Sequence, residues 1–218
     1  MVVLLAAVGL LSLGGCEVFG YIAQGFSDHD VKAVHELPDR PTLVIVDDPT
    51  GSLGSAGTAV AIASRIGFEL TEAQVVSVVV DQSLLIDLAR QLGDEYGRTP
   101  IDQLGRHLGA AQVVYVHMES VAAKRQGTLM DLTAYLGVKV VDVEAGRRVF
   151  PAGGVETDAG ADPGRGWPMA VTVRDMGAAV QSQAQQQQLV VQLADEVGSQ
   201  VAELFYAHPA RPRDRAID

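Results

Sequence analysis

Apolar residues along the chain follow three patterns, each with its own structural meaning. Unbroken aliphatic runs occupy Val2 to Val8, continuing to Leu13 with only Gly9 and Ser12 intervening, and Leu43 to Val46 within Thr42 to Val46. Val75 to Val80 is a third run, broken only by Ser77. The second and third runs suit strands buried on both faces. Period-two alternation marks Thr128 to Val143, where Met130, Leu132, Ala134, Leu136, Val138 and Val140 share one parity, the signature of a half-buried antiparallel strand. Helical spacing returns at Thr58 to Leu70, Ser83 to Leu92, Ile101 to Leu108 with Gly109 as a stop signal, and Leu189 to Phe205. Gln112 to Met118 and Arg147 to Phe150 predict further strands, and Met169 to Val173 a short one. Residues 151–167, rich in Gly, Pro and Asp, predict a loop, and the glutamine tract Gln181 to Gln188 leads into the last helix. The predicted order is β-α-β-α-α-β-β-β-α: an α/β class, a single domain with a mixed β-sheet covered by helices.

The first run carries the most specific chemistry. It ends Leu13-Gly14-Gly15-Cys16, and Cys16 is the only cysteine of the 218 residues. A core of about 7–15 apolar residues suits a secretory signal and is too short to span a hydrocarbon layer of about 30 Å. The stretch resembles a bacterial lipoprotein signal peptide, although no Lys or Arg precedes the run. The resemblance implies cleavage before Cys16 and acylation of its thiol and new amino group, leaving no cysteine for a disulfide. Glu17 rather than Asp follows, which by the same resemblance leans toward the outer membrane, facing the periplasm. The expected organisation is a signal peptide at 1–15, a lipidated tether at 16–41, the α/β domain at 42–206 and a disordered tail at 207–218.

Composition narrows the partners. Hydrophobic residues make up 48% of the chain, enough for a real core, and the net charge of −11 repels nucleic acid and anionic headgroups. No later apolar run approaches the roughly 18 residues of a membrane span. Contact with a membrane is therefore expected through the lipid alone.

Candidate chemistry clusters after the strand at Thr42. Leu43-Val44-Ile45-Val46-Asp47-Asp48 looks like the first strand of a receiver domain, whose paired acids hold Mg²⁺. Asp87, Ser120 and Lys139 fall near the family's phosphoacceptor, hydroxyl and lysine, but Asp87 lies in a helical pattern and Val140 replaces the proline expected after the lysine. The simpler reading has Asp47 and Asp48 capping the loop. Gly51, Gly54 and Gly57 join a strand to a helix, as phosphate loops do, yet Gly57 stands where a P-loop needs Lys, and the spacing is wrong for a dinucleotide fold. Histidines 29, 35, 107, 117 and 208 are scattered, and Asp28-His29-Asp30 has no second cluster to complete a metal site. No Gly-x-Ser-x-Gly motif is present. The expectation is no enzyme, no catalytic residue, no cofactor and no metal site, with Cys16 as the one residue of assigned chemistry.

From Thr58 to Pro151 the layout is similar to envelope lipoproteins of the curli-secretion and penicillin-binding-protein-activator type. The likeness rests on Leu108-Gly109-Ala110-Ala111-Gln112-Val113-Val114-Tyr115-Val116, with Gln112 where that family has Asp, and on the turn Val141-Asp142-Val143-Glu144-Ala145-Gly146 before Arg147 to Pro151. It implies a periplasmic α/β domain working through protein contacts. The leading expectation is thus a lipid-anchored, non-catalytic envelope lipoprotein that binds or regulates another envelope component. Two alternatives stand beside it: a secreted nucleotide- or metal-dependent enzyme using Asp47, Asp48 and the Gly51–Gly57 loop, and a subunit of an oligomeric secretion pore.

Overall fold

Strand β2 (Thr42–Asp47) forms the edge of a five-stranded mixed sheet and explains its own sequence. Leu43 and Ile45 point into one apolar layer and Val44 and Val46 into another, so the strand has no polar face to write into the chain. The computed structural model describes residues 30–126, 129–152, 166–175 and 183–211. Cys16, the signal at 1–15 and the Asp28-His29 pair lie outside the described residues. The chain divides into two units. In one, strands β1 (Asp30–Val31) and β7 (His208–Pro209) pair antiparallel, so residues 208–209 of the expected disordered tail are a strand. The other, Ala33–Tyr206, is the α/β domain.

In that domain β2 pairs in parallel with β3 (Gln112–Gln126), which runs antiparallel to β4 (Leu129–Asp142). The far side of β4 is shared by β5 (Arg147–Phe150) and β6 (Trp167–Asp175), both antiparallel to it. Helices α1 (Ala56–Glu72) and α4 (Gln183–Glu203) cover one face. Helix α2 (Gln82–Leu92), a 3-10 segment (Gly93–Arg98) and α3 (Ile101–His107) pack on the other. The predicted class, a mixed sheet between helices, is the one found.

The parity read in β4 holds. Leu132, Ala134, Leu136, Val138 and Val140 are buried beneath α1 and α4, while Tyr135 on the opposite face is 44% exposed. The α4 stripe Leu189, Leu193, Val197 and Val201 is buried, and Phe205 follows it into the core. Gly109 ends α3 with φ +69°, a left-handed conformation that glycine takes without steric cost.

Two expectations change. Val75 to Val80 is not a strand of the sheet: only Val79 bridges to Thr42, through Thr42 N–H to Val78 C=O and Val80 N–H to Thr42 C=O. The N–H groups of Val75 and Val76 instead turn back to Leu70 C=O to close α1. The valines pack rather than pair, and Val79 lies so near Gly67 that a Cβ there would come within 2.9 Å of it. Residues 33–41, expected as part of a tether, also belong to the domain. Val34 and His35 donate backbone N–H groups to Leu204 C=O, Leu37 is 7% exposed within the core, and the Asp39 carboxylate accepts from the Ser77 N–H and hydroxyl.

Beyond His117, where β2 ends, β3 has no strand neighbour on that side among the described residues. A bulge between Met118 and Ser120 and the exposed charges of Lys124 and Arg125 make this a poor template for edge-to-edge pairing.

Helices α1 and α4 meet at Gly198, where a Cβ would lie 2.6 Å from Cβ and Cγ of Arg65 and 3.3 Å from Ile62 C=O. Gly198→Val is therefore expected to destabilise the domain by about 1–3 kcal/mol through overpacking. Gly97→Ala, which meets open space, is expected to leave the urea midpoint nearly unchanged. Equal midpoints for the two variants would show that α1 and α4 separate freely.

Candidate functional site

The two adjacent acids at the end of β2 take different partners because backbone alternation sends them different ways. Asp48 folds over the loop that follows. Its carboxylate accepts the N–H groups of Ser52 and Leu53 at 2.9 and 2.7 Å and the hydroxyls of Ser52 and Thr50 at 2.9 and 3.3 Å. Gly51 and Gly54, at φ +67° and +76°, let the loop wind tightly enough to present those amides. Leu53 anchors the loop in the core, and the Ser55 hydroxyl accepts the Thr58 N–H to cap α1. Burial opposes ionisation of Asp48, but the hydrogen bonds from Leu53, Ser52 and Thr50 outweigh it and hold the carboxyl below its usual range.

This arrangement bears directly on the phosphate-loop reading. Backbone amides of such a loop bind phosphate only while they are free. Here the Ser52 and Leu53 amides already hold an internal anion, Asp48.

Asp47 faces the other way. The Tyr115 hydroxyl donates to it at 2.5 Å, and His117 Nδ1 lies 3.5 Å from the same oxygen. Tyr115 and His117 are alternate residues of β3, so their rings project from one face, 6.4 Å apart and 11° from parallel. Lys139, paired with Tyr115 in register on β4, sets its ammonium 5.5 Å from the phenol ring centroid. Burial first, then the hydrogen bond and charge of Asp47 and the neighbouring Tyr96, push the Tyr115 hydroxyl well above its ordinary value. Tyr96 is raised too, by burial and then by Asp47. Both phenols thus stay neutral, and Tyr115 serves Asp47 as a hydrogen-bond donor. Among the described residues no group of three or more His, Cys, Asp or Glu side chains is placed to hold a metal ion.

The receiver constellation is not assembled. Asp87 sits on α2 in an exposed ion pair with Arg90 at 2.8 Å, and Ser120 lies past the β3 bulge. Lys139 does reach the neighbourhood of Asp47, through the Tyr115 ring. Of the other histidines, His107 ends α3 and is exposed, His208 lies in β7, and His35 stacks on Phe150 with ring centroids 4.9 Å apart. Tyr115 and His117 as partners of Asp47 escape a sequence reading, because the contact depends on the parallel register of β2 and β3. The signal available was their shared parity on a strand next to one ending in acid.

At the opposite end of β2, Gln112 of β3 binds the segment that leads into the sheet. Its amide donates to Pro38 C=O and to the Thr42 hydroxyl at 2.8 and 2.9 Å, while Thr42 donates to Arg40 C=O. A carboxylate could not donate either bond. Asp142 accepts the Ala145 N–H in its turn and pairs with Arg40 at 3.1 Å. These contacts fasten the lead-in segment to the sheet.

No protein-family model matches the sequence, and no curated protein matches it. Solved structures similar to it include lipoprotein GNA1162 from Neisseria meningitidis, at 16% identity and a TM-score of 0.43, over 76% of this chain and 99% of that one. A PelC dodecamer from Paraburkholderia phytofirmans is similar at 12% identity and 0.40, over 81% of this chain and 95% of that one. Protein CT253 from Chlamydia trachomatis follows at 12% and 0.34, over 74% and 98%. None of these likenesses carries the role of a residue across.

Asp48→Ala removes the anion from the loop and is expected to destabilise the domain by about 1–3 kcal/mol at neutral pH, since several donors lose a charged acceptor. The folded carboxyl titrates below its ordinary 3.8, so its contribution is complete above that value and is lost as pH falls through the folded value. Denaturant midpoints of wild type and variant should therefore converge in acid. A gap that stays constant to low pH would show that the carboxylate charge is irrelevant to the loop.

Proposed function

We propose that this chain is a bacterial lipoprotein held in the cell envelope by acyl chains on Cys16, and that its α/β domain acts by contact with another envelope component rather than by catalysis. The observation that carries the anchoring is the apolar run ending in Leu13-Gly14-Gly15-Cys16, with no other cysteine in the chain. Glu17 after the cysteine favours the outer membrane, with the domain facing the periplasm. Among the described residues no helix is long and apolar enough to cross a membrane.

The non-catalytic half of the proposal is supported at the end of β2. Asp48 fills the loop that a nucleotide phosphate would occupy, and Asp47 is bound by Tyr115 and flanked by His117. Both acids are thus engaged by neighbouring groups. The partner is a protein of the same envelope.

Radioactive palmitate should label the wild-type chain in a bacterial host, with Cys16 as the mature N-terminus, and should not label Cys16→Ala. Label persisting in the variant, or a mature N-terminus elsewhere, would remove the anchoring. For the second half, the domain coupled to a resin should enrich a defined protein from detergent-solubilised envelope. Hydrolysis of a nucleotide by the purified protein, lost in Asp47→Asn, would replace contact with catalysis.

A further inference from the structure

The segment Ala33–Leu37 is fastened at three points. Val34 and His35 both donate backbone N–H groups to the single Leu204 carbonyl at the end of α4, at 2.8 and 3.0 Å. Leu37 is buried in the core. Between them the His35 ring stacks on Phe150 at 4.9 Å and 28°, and meets Phe205 edge-on at 6.3 Å and 78°. Phe150 and Phe205 also meet edge-on at 6.1 Å, and the Trp167 ring lies 5.7 Å from that of Phe150. In this apolar setting His35 Nε2 is buried and has no hydrogen-bond partner.

A neutral imidazole can leave one nitrogen as an unused acceptor at moderate cost. A protonated one makes both nitrogens donors and carries a charge. The Phe150 face attracts a cation, yet an Nε2–H among aromatic rings would lose its hydration with no acceptor to replace it. We propose that Ala33–Leu37 is an acid-released strap, docked while His35 is neutral between Phe150 and Phe205 and freed from the end of α4 when the ring takes a proton.

The charges around the ring are compatible with this. Burial lowers the affinity of His35 for a proton, and the adjacent Glu36 on the same segment opposes that without cancelling it. The rings packed on it, Phe150 of β5 and Phe205 just past α4, carry no charge, and Glu36 is the charged group that acts on its protonation. Tyr206, next along, turns its hydroxyl toward Glu69 on α1 at 3.5 Å. Because the docked ring binds a proton less readily than a free one, docking is complete above the ordinary value of 6.5 and weakens as pH falls below it. The strap rests on Val34, His35 and Leu37 and does not depend on whether Cys16 bears the anchor proposed above.

Hydrogen exchange of the full chain in detergent, corrected for intrinsic rates, tests the strap directly. From about pH 7.5 to about pH 5, protection of a peptide covering residues 33–37 should fall relative to one from β3, by at most about tenfold per pH unit for one proton. His35→Leu keeps an apolar side chain but cannot titrate, so its protection should be independent of pH. Wild-type protection that follows β3 throughout, or a His35→Leu strap that loosens in acid as wild type does, would overturn the proposal. Should His35→Leu fail to fold, the wild-type imidazole titration followed by NMR decides instead: a midpoint below 6.5 is expected, and one at or above it overturns the strap.

Discussion

The parallel register of β2 on β3 is the constraint from which the other features of the domain follow. Thr42 lies opposite Gln112 and Asp47 opposite His117, so one short pairing fixes a polar network at each end of the strand. At the start, Gln112 can reach Pro38 and Thr42 only because they lie alongside it, and that contact draws the lead-in segment onto the sheet. At the finish, Asp47 can accept from Tyr115 only because Tyr115 faces the same side two residues before His117. A slip of one residue would turn each of these side chains to the other face and exchange the two apolar layers.

Two-sided burial explains why the strand tolerates so little polarity. Leu43 and Val44 are fully buried on opposite faces, one beneath the α2–α3 layer and the other beneath α1 and α4. Parallel pairing requires a crossover, and here it runs through α1, the Val75–Val80 segment, α2 and α3 before the chain returns as β3. The crossover therefore brings both covering layers with it. β4 needs no such cover along its whole length, because its hairpin with β3 extends past the end of β2 and its far positions alternate between core and solvent.

Elements whose pattern reflects local burial were legible in the sequence. The period-two parity of β4 and the four-residue stripe of α4 each report one buried face, and Leu132 to Val140 in the one and Leu189 to Val201 in the other supply its buried residues. Elements defined by a distant partner were not. The outer half of β3 beyond Met118 is mostly exposed and mixed in polarity, and it pairs there with β4. Val75 to Val80 has strand composition, but its first N–H groups are committed to closing α1, so the valines meet the sheet edge at one bridge. The lead-in at 33–41 reads as tether because its apolar residues are isolated; it docks through carbonyls and side chains over a hundred positions away, among them Leu204 and Asp142. At the candidate site the sequence pointed to Asp47 and Asp48 together, while their division of labour waited on a register that no local window contains.

That division says something about how such a domain works. A strand that ends in two acids offers a metal or phosphate site only if both carboxylates converge or the following amides stay open. Here alternation drives the carboxylates apart, and each is satisfied by neighbours: Asp48 by the loop it organises, Asp47 by a phenol on the adjacent strand. The same logic recurs at Gln112 and Asp142, where polar side chains near strand ends bind backbone groups of connecting segments. Polar chemistry in this domain is spent on holding loops and the lead-in segment to the sheet. His35 differs from these side chains, because its Nε2 is buried beside Phe150 and Phe205 with no hydrogen-bond partner. Packing on aromatic rings, and not a polar partner, holds this imidazole, so its fit depends on the ring staying neutral.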